Sequence, residues 1–232
     1  TALKYSDNPT LSLVIYYSAF YFVWTYSGIR QGLVASIGIY YLIECKSKNQ
    51  NLKFIIINII LFFIHNTALF LFFFYIFSKI RITPYVYIFL LILSILSFFI
   101  IEPFFLKILT YFPLYERVAV YITSNSNFFD FKGITRIIFM ILFGVIFVNK
   151  DFLSQTKNLI IYNLFMLNFL VYFPLRHVEI LAQNLSVYGF ISLFLLLPNI
   201  LKNLKMNINI QVYQTIIVVL MFFFLVKNLH SM

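Results

Sequence analysis

Between Phe54 and Phe77 the chain carries no Asp, Glu, Lys or Arg, and stretches of the same kind recur along its length. A helix that crosses a bilayer needs roughly 20 mainly apolar residues, each rising about 1.5 Å. The runs Leu11–Ser27, Gln31–Glu44, Phe54–Phe77, Tyr85–Ile101, Gly133–Val148, Leu159–Phe173, Val178–Leu197 and Val212–Val226 predict about eight transmembrane helices. No other long stretch is polar enough to fold in water by itself. Residues 1–232 therefore read as a single all-α, polytopic integral membrane domain. The longest interruption, 102–132, mixes aromatics, charges and a Ser-Asn-Ser-Asn cluster; it reads as an amphipathic interfacial helix followed by an external loop.

Composition excludes the soluble classes. Of 232 residues, 62% are hydrophobic and 10% charged, where ordinary globular domains run near ~45–50% and ~25%. The 31 Phe and 17 Tyr exceed what a soluble core of this size hides beneath a polar coat. With 6 Gly and 6 Pro the chain is neither collagenous nor low-complexity, and Cys45, its single cysteine, forms no internal disulfide. The chain opens on Thr1, and TALKYSDNPT has no signal-peptide pattern, so a fragment or processed chain that lacks N-terminal spans is expected.

The excess of 17 Lys and Arg over 7 Asp and Glu would point to nucleic acid in a soluble protein. In a membrane protein it marks topology, and no nucleic-acid partner is expected. Lys46, Lys48 and Lys53 share one connection, Lys150 and Lys157 a second, Lys202 and Lys205 a third; the positive-inside rule places all three in the cytoplasm. Arg30 and Arg81 then fall on the external side, as do Arg136 and Arg176, with Arg117 unassigned. One inconsistency follows. The runs 54–77, 85–101 and 133–148 put an odd number of spans between the first two lysine connections, although two loops on one side require an even number.

Guanidinium groups at membrane depth are costly and are paired or functional. Arg176 can pair with Glu179 one helical turn on. Arg30 has no acid within a turn and stands in Gly28-Ile-Arg-Gln-Gly32, where backbone can approach a planar fork of five donors; the choice is between an interfacial snorkelling residue and a polyanion ligand, with pyrophosphate the natural polyanion at a membrane face. His65 lies in an apolar run beside Asn66 and Thr67, either as a hydrogen-bonded core residue or as a functional group. His177 and His230 are the other histidines, and no ligand spacing recurs, so neither metal nor cofactor is expected. Phosphate loops, nucleotide-binding glycine fingerprints and Ser-centred elbows are absent.

Ser27-Gly-Ile-Arg-Gln-Gly-Leu-Val-Ala-Ser-Ile, the Lys-rich turn Lys46-Ser-Lys-Asn and Phe63-Ile-His-Asn-Thr-Ala-Leu resemble the EpsG-like and Wzy-type polysaccharide polymerases of bacterial membranes. Tyr115-Glu-Arg-Val-Ala-Val-Tyr is similar to that family's external stretch, and Asn184-Leu-Ser-Val-Tyr-Gly-Phe to its penultimate span. Where the family often has a second arginine this chain has Asn184, with Arg176 about two turns earlier.

The resemblance implies a GT-C-like membrane glycosyltransferase of O-antigen or exopolysaccharide synthesis. It would act without a metal at the external face of the bacterial inner membrane, joining repeat units carried on undecaprenyl pyrophosphate, with membrane lipids and a chain-length regulator as further partners. On that reading Arg30 is the main pyrophosphate ligand, with Gln31 hydrogen-bonding beside it. Arg176 is the second cation, His65 the base or a hydroxyl-orienting group, and Tyr188 and Tyr121 contact sugar or lipid. The alternatives are a flippase or transporter, an organelle-encoded respiratory subunit, and a membrane acyl- or phosphotransferase that reuses His65. A proton-conducting subunit should carry charged groups in mid-span, and Glu44, Glu102 and Glu179 all fall near span ends.

Overall fold

A computed structural model describes residues 1–26, 28–109, 131–146, 150–176 and 178–203. Every regular element among them is helical. They are α1 (Ala2–Tyr5), α2 (Pro9–Tyr16, continued by a π-helix Tyr17–Tyr26), α3 (Ile29–Ser47), α4 (Asn51–Ile64), a 3-10 helix Asn66–Phe70, α5 (Leu71–Phe77), α6 (Pro84–Leu109), α7 (Phe131–Phe139, continued by a π-helix Met140–Ile146), α8 (Lys150–Ser154), α9 (Thr156–Tyr172), α10 (Glu179–Phe190) and α11 (Leu193–Asn203). The expected spans 11–27, 31–44, 85–101, 133–148, 159–173 and 178–197 each overlap a helical run. The segment 212–226 lies outside the described residues, as do 110–130 of the expected external loop. The first part of that stretch continues α6 as far as Leu109.

α9 is the axis of the bundle. From Asn158 to Phe169 it is buried throughout, and α3, α5, α6, α10 and α11 pack around it. Three asparagines five residues apart add hydrogen bonds to the packing that holds this buried helix against its neighbours. Asn199 Nδ2 donates to Asn158 Oδ1 (3.1 Å). Asn163 Nδ2 donates to Ser78 O (2.7 Å) and Ile80 O (2.8 Å), while its Oδ1 accepts from Tyr87 (2.9 Å). Asn168 Oδ1 accepts from Arg136 (3.1 Å).

The outer faces are apolar instead of charged. Val14 and Tyr17 on α2, Ile56, Ile60 and Phe63 on α4, Phe89 and Leu96 on α6, and Ile138 and Ile141 on and just after α7 all face outward, a surface suited to lipid and not to water. Among the described residues one run, Leu181–Lys202, made of α10 and α11 end to end, is long and apolar enough by length and composition to cross a membrane, with mean hydropathy 1.6. Shorter apolar helical stretches are Asn51–Ile64, Asn66–Phe77, Tyr85–Phe99 and Gly133–Leu142.

The expected single span Phe54–Phe77 is instead a helical hairpin. α4 stops at Ile64, His65 takes an extended conformation (φ −153°, ψ 121°), and the 3-10 helix with α5 runs back along α4. The Phe54 and Tyr75 rings stack at 4.0 Å, Tyr75 OH donates to Asn51 Oδ1 (2.6 Å), and Lys79 Nζ to Asn49 Oδ1 (2.8 Å). One continuous helix would hold residues 54 and 75 about 31 Å apart. The hairpin changes the span count, because 51–77 leaves and returns to the same end, and α6 and α7 are the long helices described between the first two lysine connections. It also moves Arg81. Two residues beyond Lys79, Arg81 is exposed at the end that carries the lysines and not at the opposite end.

Residues 1–8 tie that end together. Glu44 accepts from Lys4 and Tyr5 and pairs with Lys48, while Asp7 pairs with Lys157 (3.0 Å) and Lys202 (3.7 Å). The hydrogen bond to Glu44 raises the Lys4 ammonium above its ordinary range. A lysine from each of the second and third basic connections thus reaches this short segment, and Lys48 of the first pairs with the same Glu44 that the segment binds. Arg30 lies ~21 Å along α3 from Glu44, and Arg176 follows the end of α9 at Tyr172, itself ~22 Å from Lys157, toward the other end.

Spin labels at Leu52→Cys and Ile76→Cys, both exposed positions (71% and 60%), should give a separation far below the ~36 Å that 24 residues of unbroken helix impose. A double electron–electron resonance distance near that value would restore the single span.

Candidate functional site

Three elements meet at the hairpin tip. They are the first turn of α3, the break at His65, and the middle of α10. α3 begins after Gly28, which brings no side-chain cap, so among the described residues no cap side chain covers the positive end of this 19-residue helix. Arg30, the second residue of α3, is exposed there and close enough to His65 for its charge to act on the imidazole. Gln31 turns inward, 6% exposed, and its Nε2 donates to Asn184 O on α10 (2.8 Å).

His65 is half-buried, and its Nδ1 stands 2.7 Å from Thr67 Oγ1. The 3-10 turn that follows the break brings Thr67 back beside the ring, and Thr67 Oγ1 lies 2.6 Å from Tyr188 OH. Tyr188 and Asn184 are one helical turn apart on α10 and share the face that meets α3 and the hairpin. The approach is close because residue 189 is glycine. A Cβ there would sit 2.3 Å from Leu164 O and 2.9 Å from a ring carbon of Phe74.

The opposite face of α10 holds another cation. Arg136 Nη1 donates to Asn168 Oδ1 (3.1 Å) and Ser186 Oγ (3.2 Å), and its guanidinium stacks 3.8 Å from the Tyr172 ring centre and 4.6 Å from that of Phe190. Arg176, in the turn after α9, is 2% exposed and lies 5.6 Å from the same Tyr172 ring.

The structure thus brings together Arg30, Gln31, His65 and Tyr188, and sets Arg176 with Arg136 around Tyr172. Two of the expected site residues have partners within the bundle. Tyr188, expected to touch sugar or lipid, is fully buried with its hydroxyl 2.6 Å from Thr67 Oγ1. Gln31, expected beside the pyrophosphate, uses one amide N–H to join α3 to α10. Tyr121 and His177 lie outside the described residues, as does the Glu179 side chain. Sequence reasoning passed over Thr67, although it stands in the same His-Asn-Thr stretch, and gave Arg136 only a side. Among the described residues no group of three or more His, Cys, Asp or Glu could hold a metal ion.

Over residues 1–232 the sequence matches the EpsG family, and the chain belongs to that family. The family is associated with polysaccharide-polymerase-type membrane proteins and glycosyltransferase-like activity. No curated protein and no solved structure matches the chain.

Gly189→Ala should destabilise the fold by about 1–3 kcal/mol, since the clash is with backbone that cannot rotate away. Thermal unfolding of the detergent-solubilised protein reads this directly, and an unchanged midpoint would show that α9 and α10 pack less tightly than described.

Proposed function

We propose that the chain is a polytopic membrane glycosyltransferase that joins oligosaccharide repeat units carried on undecaprenyl pyrophosphate at the external face of the bacterial inner membrane. The lysine-bearing end is cytoplasmic by the positive-inside rule, which puts Arg30, Arg136 and Arg176 toward the external side. Helices α2, α3, α6, α7, α9 and the α10–α11 run cross, and the hairpin 51–77 enters from the cytoplasmic side and returns.

The observation that carries this reading is the exposed Arg30 in the first turn of α3, where that helix packs against the hairpin tip that holds His65. The hydroxyl of one lipid-linked unit attacks the anomeric carbon of another, and lipid pyrophosphate leaves with the electron pair. Charge develops on that leaving group, so fixed positive charge and N–H donors aimed at it lower the barrier most. Arg30 supplies a charged bidentate fork, and the open first turn of α3 adds backbone donors and a positive dipole end. The His65 imidazole lies within reach of the same charge and can hydrogen-bond a reacting oxygen.

Arg30→Ala should insert and fold normally yet extend no chain beyond a single repeat, and Arg30→Lys should recover only part of the activity because a point charge replaces a planar fork. The measurement is the ladder of lipid-linked product on a gel. Long polymer from Arg30→Ala would remove Arg30 from the reaction and the proposal with it.

A further inference from the structure

We infer that the Tyr188–Thr67 hydroxyl pair fixes His65 as the tautomer protonated at Nε2, so that the histidine acts as a hydrogen-bond donor to the departing pyrophosphate and not as a base. The inference rests on the function proposed above for its ligand, and on geometry alone for its tautomer.

Proton counting along the relay decides the tautomer. Tyr188 is fully buried, and among the described residues its hydroxyl meets one partner, Thr67 Oγ1 at 2.6 Å. A buried phenol O–H without an acceptor is strongly disfavoured, so Tyr188 donates to Thr67. Thr67 has a single hydroxyl proton. With its oxygen accepting from Tyr188, that proton goes to its other partner, His65 Nδ1 at 2.7 Å. Nδ1 is then an acceptor, and a neutral imidazole that accepts at Nδ1 carries its proton on Nε2. The reverse chain, with Nδ1–H donating to Thr67 and Thr67 to Tyr188, strands the phenol proton in the interior.

The consequence for chemistry follows from which lone pair is left. A base at this histidine would need an unprotonated ring nitrogen facing substrate; Nδ1 is occupied by Thr67 and Nε2 bears hydrogen. With Arg30 already supplying the positive charge, the Nε2–H adds a neutral donor for the same anion. The new bond forms between the acceptor hydroxyl oxygen and the anomeric carbon. The bond from that carbon to the pyrophosphate oxygen breaks with its electron pair, and the hydroxyl proton passes to a non-bridging oxygen of the departing lipid pyrophosphate. Thr67 and Tyr188 are positioning residues in this scheme.

The test uses the full chain with ¹⁵N-labelled histidine in lipid nanodiscs, with the His65→Gln spectrum identifying the His65 signals. The expected result is a non-protonated Nδ1 and a proton-coupled Nε2. Thr67→Val, which keeps the shape and removes the hydroxyl, should mix the tautomers and lower polymer synthesis by roughly 10–100-fold, the scale of loss when a partner that orients a metal-bound imidazole is removed. Thr67→Ser should restore both. A protonated Nδ1 in the unmodified protein, or a Thr67→Val variant with an unchanged tautomer, overturns the relay. An Arg30→Ala protein that polymerises normally while the tautomer is as expected overturns the functional reading and leaves the relay standing.

Discussion

Asn163, on the buried axis helix, holds two carbonyls with one amide. Ser78 O and Ile80 O belong to the chain just past α5, where a helix ending inside the bundle leaves acceptors without intrahelical partners. In an apolar surrounding each unpaired group of this kind is expensive, and non-helical backbone survives there only when protein covers it. The hairpin 51–77 depends on that coverage at both ends. At its base Asn163 caps the return strand and Tyr75 binds Asn51; at its tip His65 N still donates to Leu61 O (3.0 Å), and Ala68 N to His65 O (2.9 Å). Without these partners, 24 apolar residues would relax into one continuous helix.

The same economy governs the charges. Lys4, Lys48, Lys157 and Lys202 lie at one end on flexible stems, paired with Glu44 and Asp7. Arg30 and Arg136, toward the other end, are treated differently from one another. Arg136 is drawn inside, where Asn168, Ser186 and two aromatic rings receive a weakly hydrated planar cation that an ammonium would match poorly. Arg30 stays exposed at the start of α3. A cation enclosed by partners holds helices in place, whereas one at an open helix end can still meet a ligand. Of these two, only Arg30 has the surroundings of a ligand site.

Much of this was legible in the residues. Apolar runs located most of the helical segments, lysine spacing grouped three connections that the structure brings to one end, and the Gly-bracketed Arg30 and the lone His65 were picked out before they were known to be neighbours. What was not legible is direction. A hydropathy pattern has no sign along the helix axis, so Phe54–Phe77 reads the same whether it crosses or turns back. The polar cluster His65-Asn66-Thr67 in mid-run marked the place of the turn. Arg81 was misassigned by the same error, since its side was counted from a span that does not cross. Thr67 and Tyr188 are 121 positions apart, and no local pattern pairs them.

The turn also changes what the histidine can do. In an unbroken helix His65 would sit on the wall of a single rod, with its backbone N–H and carbonyl committed to the helix and its ring aimed by whichever face it occupied. At the tip of α4, ~21 Å from the lysine-bearing end, its extended backbone points the ring toward the α3–α10 junction, and the 3-10 turn delivers Thr67 to hold it. On the membrane reading this carries an imidazole from the cytoplasmic side to about two thirds of a ~30 Å hydrocarbon layer, level with an arginine that descends from the opposite side. Two elements that enter from opposite faces can then serve one anion, which neither could reach as part of a helix that simply crossed.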